Sequence, residues 1–238
     1  MSIEEFKKGQ QLINEKIEQF AQEKGLSDED IAPIYDGVAD IEKYLSCGKK
    51  IMWVLKEPYD RCEDDKPKGG GWSIVDECFS GHGENGKSPK EDAWSNPSWQ
   101  PIIYSMYGYF NNLPWESMDW ICYDKSMANI LQQIAYININ KMPNQTQSSL
   151  DQIQEFYNIW KPILFEQIDL FNPDVVIFGF TFQYFMKDLG ISENDLVAKS
   201  SVSGVLDPYK KDGKLWLDVY HPNQRRKTRE KYVNSIIS

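Results

Sequence analysis

Four short apolar runs, at residues 50–56, 134–138, 173–179 and 215–220, constrain this chain more than any other feature. Each has the length of a strand buried on both faces, and helix-length stretches separate them. Strand, crossover and parallel strand close with right-handed connections. The pattern therefore predicts an α/β protein: a three-layer α/β/α sandwich around a mainly parallel four-stranded sheet. Ligands bind such sheets beyond the carboxyl ends of the strands, so chemistry is sought in the residues just after each run.

The connecting stretches carry helix signals. Ser2 and Glu5 form a capping box ahead of Phe6, Leu12, Ile13, Ile17 and Phe20, which recur at helical spacing and predict a helix over 3–24, ended by Gly25. Further helices are expected over 36–47, 99–112, 126–133, 149–171 (capped by Ser149 and Gln152), 181–189, and from Thr228 onward. Lys211-Asp212-Gly213-Lys214 reads as a turn joining a short edge strand at 202–206 to the last run. Residues 57–98 are rich in Gly, Pro, Asp, Ser and Lys and lack periodicity, which predicts a long loop; loops beyond about 12–15 residues are usually functional or mobile. No repeat or linker divides the chain. One domain over 1–238 is expected, with an N-terminal helical extension (about 1–48) and a loop insertion (about 74–98).

Charge and cysteine usage narrow the function classes. A formal charge of −10 opposes nonspecific attraction to nucleic acid. A local cluster of Arg225, Arg226, Lys227, Arg229 and Lys231 can still attract phosphate, because salt limits electrostatic reach to about 8 Å. The plainer reading is a solvated first turn of the terminal helix. Cys47, Cys62, Cys78 and Cys122 show no C-x-x-C pair, so no zinc, iron–sulfur or other cofactor is expected. No apolar stretch approaches the roughly 18 residues of a membrane span, and the first residues lack signal-peptide character. A cytoplasmic setting with reduced thiols is expected, with no membrane partner.

The four runs end in Glu57-Pro58-Tyr59-Asp60, Asn138-Ile139-Asn140-Lys141, Phe180-Thr181 and His221-Pro222-Asn223. Gathered along one sheet edge, these supply a carboxylate, a carboxamide and an imidazole: groups able to activate water, read an amide-bearing ring and stabilise a developing anion. Nucleophilic serine chemistry lacks a G-x-S-x-G elbow, and Gly69-Gly70-Gly71 is not followed by Lys-Ser/Thr as a phosphate loop requires.

In order and type these ends resemble the short motifs of the uracil-DNA glycosylase superfamily, over most of residues 50–230. Leu55-Lys56-Glu57-Pro58-Tyr59-Asp60 is similar to its G-Q-D-P-Y-H motif, Gly71-Trp72-Ser73 to its base-stacking stretch, Ile137-Asn138-Ile139-Asn140-Lys141-Met142-Pro143 to T-N-V-V-K-C-R-P, and Tyr220-His221-Pro222-Asn223-Gln224-Arg225 to H-P-S-P-L. The resemblance implies the family's fold and removal of uracil or another deaminated base from DNA. It implies catalytic roles for Glu57, which positions water, and His221, which donates to the uracil oxygen. Base-binding roles fall to Tyr59, which crowds the pyrimidine C5 position, Trp72, which stacks on the base, and Asn138, which reads its edge, with Asn140 as the alternative. DNA contacts fall to Asn223, Arg225 at the wedge position, Arg226 and Lys227.

Departures accompany the likeness. Leu55 replaces a glycine, Glu57 is one methylene longer than aspartate, Lys56 and Asp60 replace glutamine and histidine, and Met142 stands where cluster-bearing relatives have cysteine, so no iron–sulfur cluster is implied. Each residue also has an ordinary reading. Glu57 can be a solvated residue before a proline, Tyr59 and Trp72 can cover the sheet edge, Asn138 can form a turn, and His82 reads as a plain loop residue. The rival function is a non-catalytic module that binds a nucleobase, a nucleotide or another protein.

Overall fold

A computed structural model of the chain describes residues 1–83, 86–145, 148–197 and 204–238. The strands are β1 (Gly37–Val38), β2 (Ile51–Leu55), β3 (Arg61–Glu63), β4 (Lys66–Lys68), β5 (Ala135–Asn138), β6 (Val175–Gly179), β7 (Leu206–Lys211) and β8 (Lys214–Val219). The helices are α1 (Ile3–Glu23), α2 (Ile41–Ser46), α3 (Trp99–Asn111), α4 (Leu150–Phe171), α5 (Phe182–Phe185) and α6 (Arg229–Ile237). The four apolar runs become β5, β2, β6 and β8, which lie side by side and parallel.

The expected four-stranded sheet is corrected to one of six strands among the described residues, in the order β1-β5-β2-β6-β8-β7. β1 and β7 pair antiparallel at the two edges. β1 is two residues long and carries no alternation that a sequence pattern could reveal. It also displaces the front of the helix expected over 36–47: the Asp40 side chain accepts from the Lys43 amide, so α2 begins only at Ile41. The edge strand expected at 202–206 lies partly outside the described residues, and β7 begins at Leu206.

Alternation along the central strands divides the core in two. Met52, Val54, Ile137, Val176 and Phe178 face one layer, built with α1, α4 and α5. Trp53, Leu55, Tyr136, Ile177 and Leu217 face the other, built with α3, α6 and the 3₁₀ segment at 125–133. All five residues of β2 are buried, as a strand covered on both faces requires. The capping boxes of Ser2–Glu5 and Ser149–Gln152 form as expected.

The region 57–98 holds more order than its composition suggests. β3 and β4 form a hairpin, Val75–Ser80 a π-helical segment and Ala93–Ser95 a 3₁₀ turn, while residues 84 and 85 lie outside the described residues. Gly69, Gly70 and Gly71 all take positive φ, and this triplet is stitched to residues 32–35: Ala32 donates to the Gly69 carbonyl, Gly71 to Pro33, and Tyr35 to Trp72. A side chain at Gly70 would place its Cβ 1.8 Å from the Ala32 oxygen, which explains why glycine is needed there.

Candidate functional site

In chain order β2 leads to β5 on one side, whereas β6 leads to β8 on the other, so the sheet has a topological switch between β2 and β6. The carboxyl ends meeting there are the preferred ligand position of an open α/β sheet. Leu55 pairs with Asn138 and Gly179 with Val219, which brings the four polar ends to one edge. Asn138 and His221 lie on strands three spacings apart, roughly 14 Å across the main chain.

Asn138 is 1% exposed, and neither its Oδ1 nor its Nδ2 has a hydrogen-bond partner among the described residues. The Tyr136 hydroxyl, on the same face of β5, accepts from Trp99 Nε1 at 3.3 Å and lies near enough to the Asn138 amide to interact with it electrostatically, without reaching hydrogen-bond geometry. Leaving buried polar atoms unpaired costs about 1–3 kcal/mol each, so the chain maintains this amide against a folding penalty. Asn140 is different. Its Oδ1 accepts from Trp160 Nε1 (3.0 Å) and the Met142 amide (3.1 Å), and its Nδ2 donates to the Met142 carbonyl (3.0 Å). Its amide is consumed by a local turn and by α4, whereas the Asn138 amide makes no such bonds.

Glu57 stands two residues beyond β2 with a buried Oε2 that has no partner among the described residues. Burial raises its pKa above the ordinary carboxylate range, while a hydrogen bond with Ser148 and the charge of Lys56 oppose the shift. His221 Nδ1 accepts the Asn223 amide at 3.2 Å, which assigns the imidazole proton to Nε2. Burial, aided by the charge of Lys56, lowers the His221 pKa to about 4. The ring is therefore neutral at pH 7 and offers one N–H donor.

Between these groups lies a cluster that sequence reasoning passed over. The Lys56 ammonium sits 4.9 Å from the centre of the Phe180 ring, a cation–π contact. Phe180 has φ of 65°, an uncommon conformation for an aromatic residue, held by hydrogen bonds from its amide to Phe178 and Val219 carbonyls. Thr181 Oγ1 donates to the Val54 carbonyl at 2.9 Å and ties the end of β6 to β2. No residue type signals this cluster in the sequence, because the left-handed φ of Phe180 is a property of the folded backbone.

The remaining nominees are more open. Tyr59 is 52% exposed and projects from the strand end. Trp72 packs against the second core layer and lines a cavity of about 470 Å³ with Gly70, Gly71, Cys78, Lys87 and Asp92. Asp60 Oδ2 accepts both Trp72 Nε1 (3.0 Å) and the Gly70 amide (2.8 Å), so it fixes the indole edge and the glycine turn together. Asn223 and Lys227 line a separate cavity of about 210 Å³ with Pro222, Gln224, Arg229 and Tyr232. Arg225 and Arg226 are exposed beside it. Gln224 organises this loop: its Oε1 accepts the Arg226 and Lys227 amides at 2.6 and 2.7 Å.

The edge thus presents a free buried amide, a neutral imidazole N–H, a carboxyl group and a cation over an aromatic face, with exposed basic residues alongside. Among the described residues, no group of three His, Cys, Asp or Glu could hold a metal ion, and no helix is long and apolar enough to cross a membrane. The fold and site define a mixed α/β protein whose polar edge lies at the switch of a six-stranded, mostly parallel sheet. No protein-family model and no curated protein sequence matches the chain.

Proposed function

We propose that this is a distant uracil-DNA glycosylase-like protein, an α/β/α sandwich that binds a base extruded from DNA and hydrolyses its N-glycosidic bond. The observation that carries the proposal is the Asn138 amide, wholly buried at a strand end with donor and acceptor both unpaired. A uracil edge presents the complementary pair, and such a bidentate contact discriminates by about 1–3 kcal/mol. His221 Nε2–H donates to the oxygen on which negative charge grows as the base departs; an aligned donor of this kind contributes about 3–4 kcal/mol. Glu57, when ionised, orients the attacking water, and its raised pKa makes it a stronger base than a solvated glutamate. Trp72 and Tyr59 flank the base, and Asn223, Arg225, Arg226 and Lys227 meet the DNA backbone. A cytoplasmic setting belongs to the same proposal.

Tyr59 favours a second reading. At 52% exposed its ring is not packed as a pocket wall, so the site is less closed than excision requires, which suits a nucleobase-binding module without turnover. Incubation of the purified protein with uracil-containing single- and double-stranded DNA decides between them. Base release that is lost in His221→Ala supports catalysis. Shifts of the melting temperature by free bases without any release support the module, and no release from any uracil or deaminated-base substrate overturns the glycosylase proposal.

A further inference from the structure

Beneath Asn138 lies a closed polar cluster that none of the roles above uses. Asp36, Lys141 and Gln167 are 1%, 0% and 0% exposed and come from three places: just before β1, just after β5 and within α4. The Lys141 ammonium donates to Asp36 Oδ1 (2.9 Å), Asp36 Oδ2 (2.8 Å) and Gln167 Oε1 (2.8 Å). Gln167 Nε2 donates to Asp36 Oδ1 at 2.8 Å. The remaining bond closes on the site: the main-chain N–H of Asn138 donates to Asp36 Oδ2 at 2.8 Å. The Lys141 carbonyl is taken as well, by the Ile34 amide at 2.7 Å.

Two features argue against a plain stability role. Burial lowers the Lys141 pKa and the Asp36 charge only opposes it, so the pair carries a desolvation cost. A buried ion pair often matches, and seldom exceeds, the stability of apolar residues of similar volume. Four of its five bonds, however, meet on the Asp36 carboxylate, and one of these comes from the main chain of Asn138, whose side-chain amide takes no part in the cluster.

We propose that Asp36 is a positioning residue for Asn138. Lys141 and Gln167 hold the Asp36 carboxylate in one orientation, and the carboxylate fixes the last amide of β5. The Asn138 side chain is thereby presented in a single geometry without spending its own donor or acceptor on the scaffold. The proposal rests on the base-reading role of Asn138 given above.

The test uses the full chain labelled with ¹⁵N-asparagine and free uracil as probe. Asp36→Leu/Lys141→Met/Gln167→Leu removes the cluster without stranding a charge. Asp36→Asn/Lys141→Met removes the charges but keeps an oxygen for the Asn138 N–H. Circular dichroism and thermal melting establish folding of both. In the triple variant the Asn138 main-chain resonance is expected to move, its hydrogen exchange to accelerate, and uracil affinity to fall about tenfold or more. The double variant is expected to stay within about threefold of wild type in affinity, whichever way its melting temperature moves. An unchanged Asn138 resonance in the triple variant, or affinity losses in both variants that simply follow melting temperature, overturns the proposal. Should the triple variant not fold, Asn138 exchange in Asp36→Ala below its melting temperature decides in the same way. If wild type binds no uracil, the base-reading role falls, and the Asn138 resonance still judges the anchor.

Discussion

At the residue scale the site is defined by groups held in states that folding alone does not favour. Asn138→Ala removes two unpaired buried atoms, so it is expected to leave stability unchanged or raise it by about 1 kcal/mol, while uracil binding falls about 10- to 100-fold. Urea unfolding and ligand titration measured on one preparation check the two directions together; a loss of stability matching the loss of binding would make Asn138 an ordinary core residue. The pH dependence follows from His221 and Glu57. With its pKa lowered to about 4, His221 stays neutral above pH 5, and its ring resonances are expected not to titrate between pH 5.5 and 8. The acid limb of any base release then belongs to Glu57, whose pKa is raised, so activity is expected to climb with pH through that limb and the limb to vanish in Glu57→Gln. Asn140 was legible as an amide near a strand end but not as the structural one. Its type and spacing match those of Asn138, and only its bonds to Trp160 and Met142 separate the two.

At the element scale the glycine triplet and the helix caps do different work. Gly70→Ala pushes a methyl group into the Ala32 carbonyl at φ of 84°, so the 69–72 turn must shift and carry Trp72 with it. A melting temperature lower by several degrees, corresponding to about 2 kcal/mol or more, is expected, together with loss of any ligand-induced tryptophan fluorescence change. Ser149→Ala removes the α4 cap, at a cost of about 1 kcal/mol, and is expected to leave the site untouched. The α4 cap could be read directly from Ser149 and Gln152, because capping is a contact between residues three apart. The glycine turn could be recognised only as loop composition, since its partners, Ala32 to Tyr35, lie more than thirty residues upstream.

At the scale of the whole molecule, two partly buried groups at the far side of the sheet set opposing pH dependences. His221 binds its proton less readily folded than unfolded, so between its ordinary 6.5 and its lowered value near 4 stability falls as pH falls. Asp218, facing Asp207 across β8 and β7, has its pKa raised by burial to about 6 from 3.8. The folded state takes up that proton first, so its contribution rises as pH falls through the same range. Each amounts to about 3 kcal/mol at most, and wild-type stability is expected to change little between pH 4 and 6.5 on their account. Asp218→Asn is expected to stabilise at pH 7 by about 1–3 kcal/mol, with the gain gone by pH 4, as urea melts across that range will read. Charge acts at the same scale. The chain as a whole repels DNA at −10, so on the proposed function duplex binding rests on the local basic strip, and Arg225→Ala/Arg226→Ala is expected to reduce its salt slope by about 1.8.

The four parallel strands, their crossovers, the capped helices and the polar character of the strand ends were legible along the chain. They depend on periodicity and on contacts between near neighbours, which a linear pattern records. The two edge strands, the different hydrogen bonding of Asn138 and Asn140, the neutral state of His221, the Lys56–Phe180 contact and the Asp36–Lys141–Gln167 cluster were decided only in three dimensions. Each arises from burial or from hydrogen bonds between distant segments. Asp36 and Gln167 stand 131 residues apart and acquire their meaning only when β1, β5 and α4 enclose one ammonium group away from water.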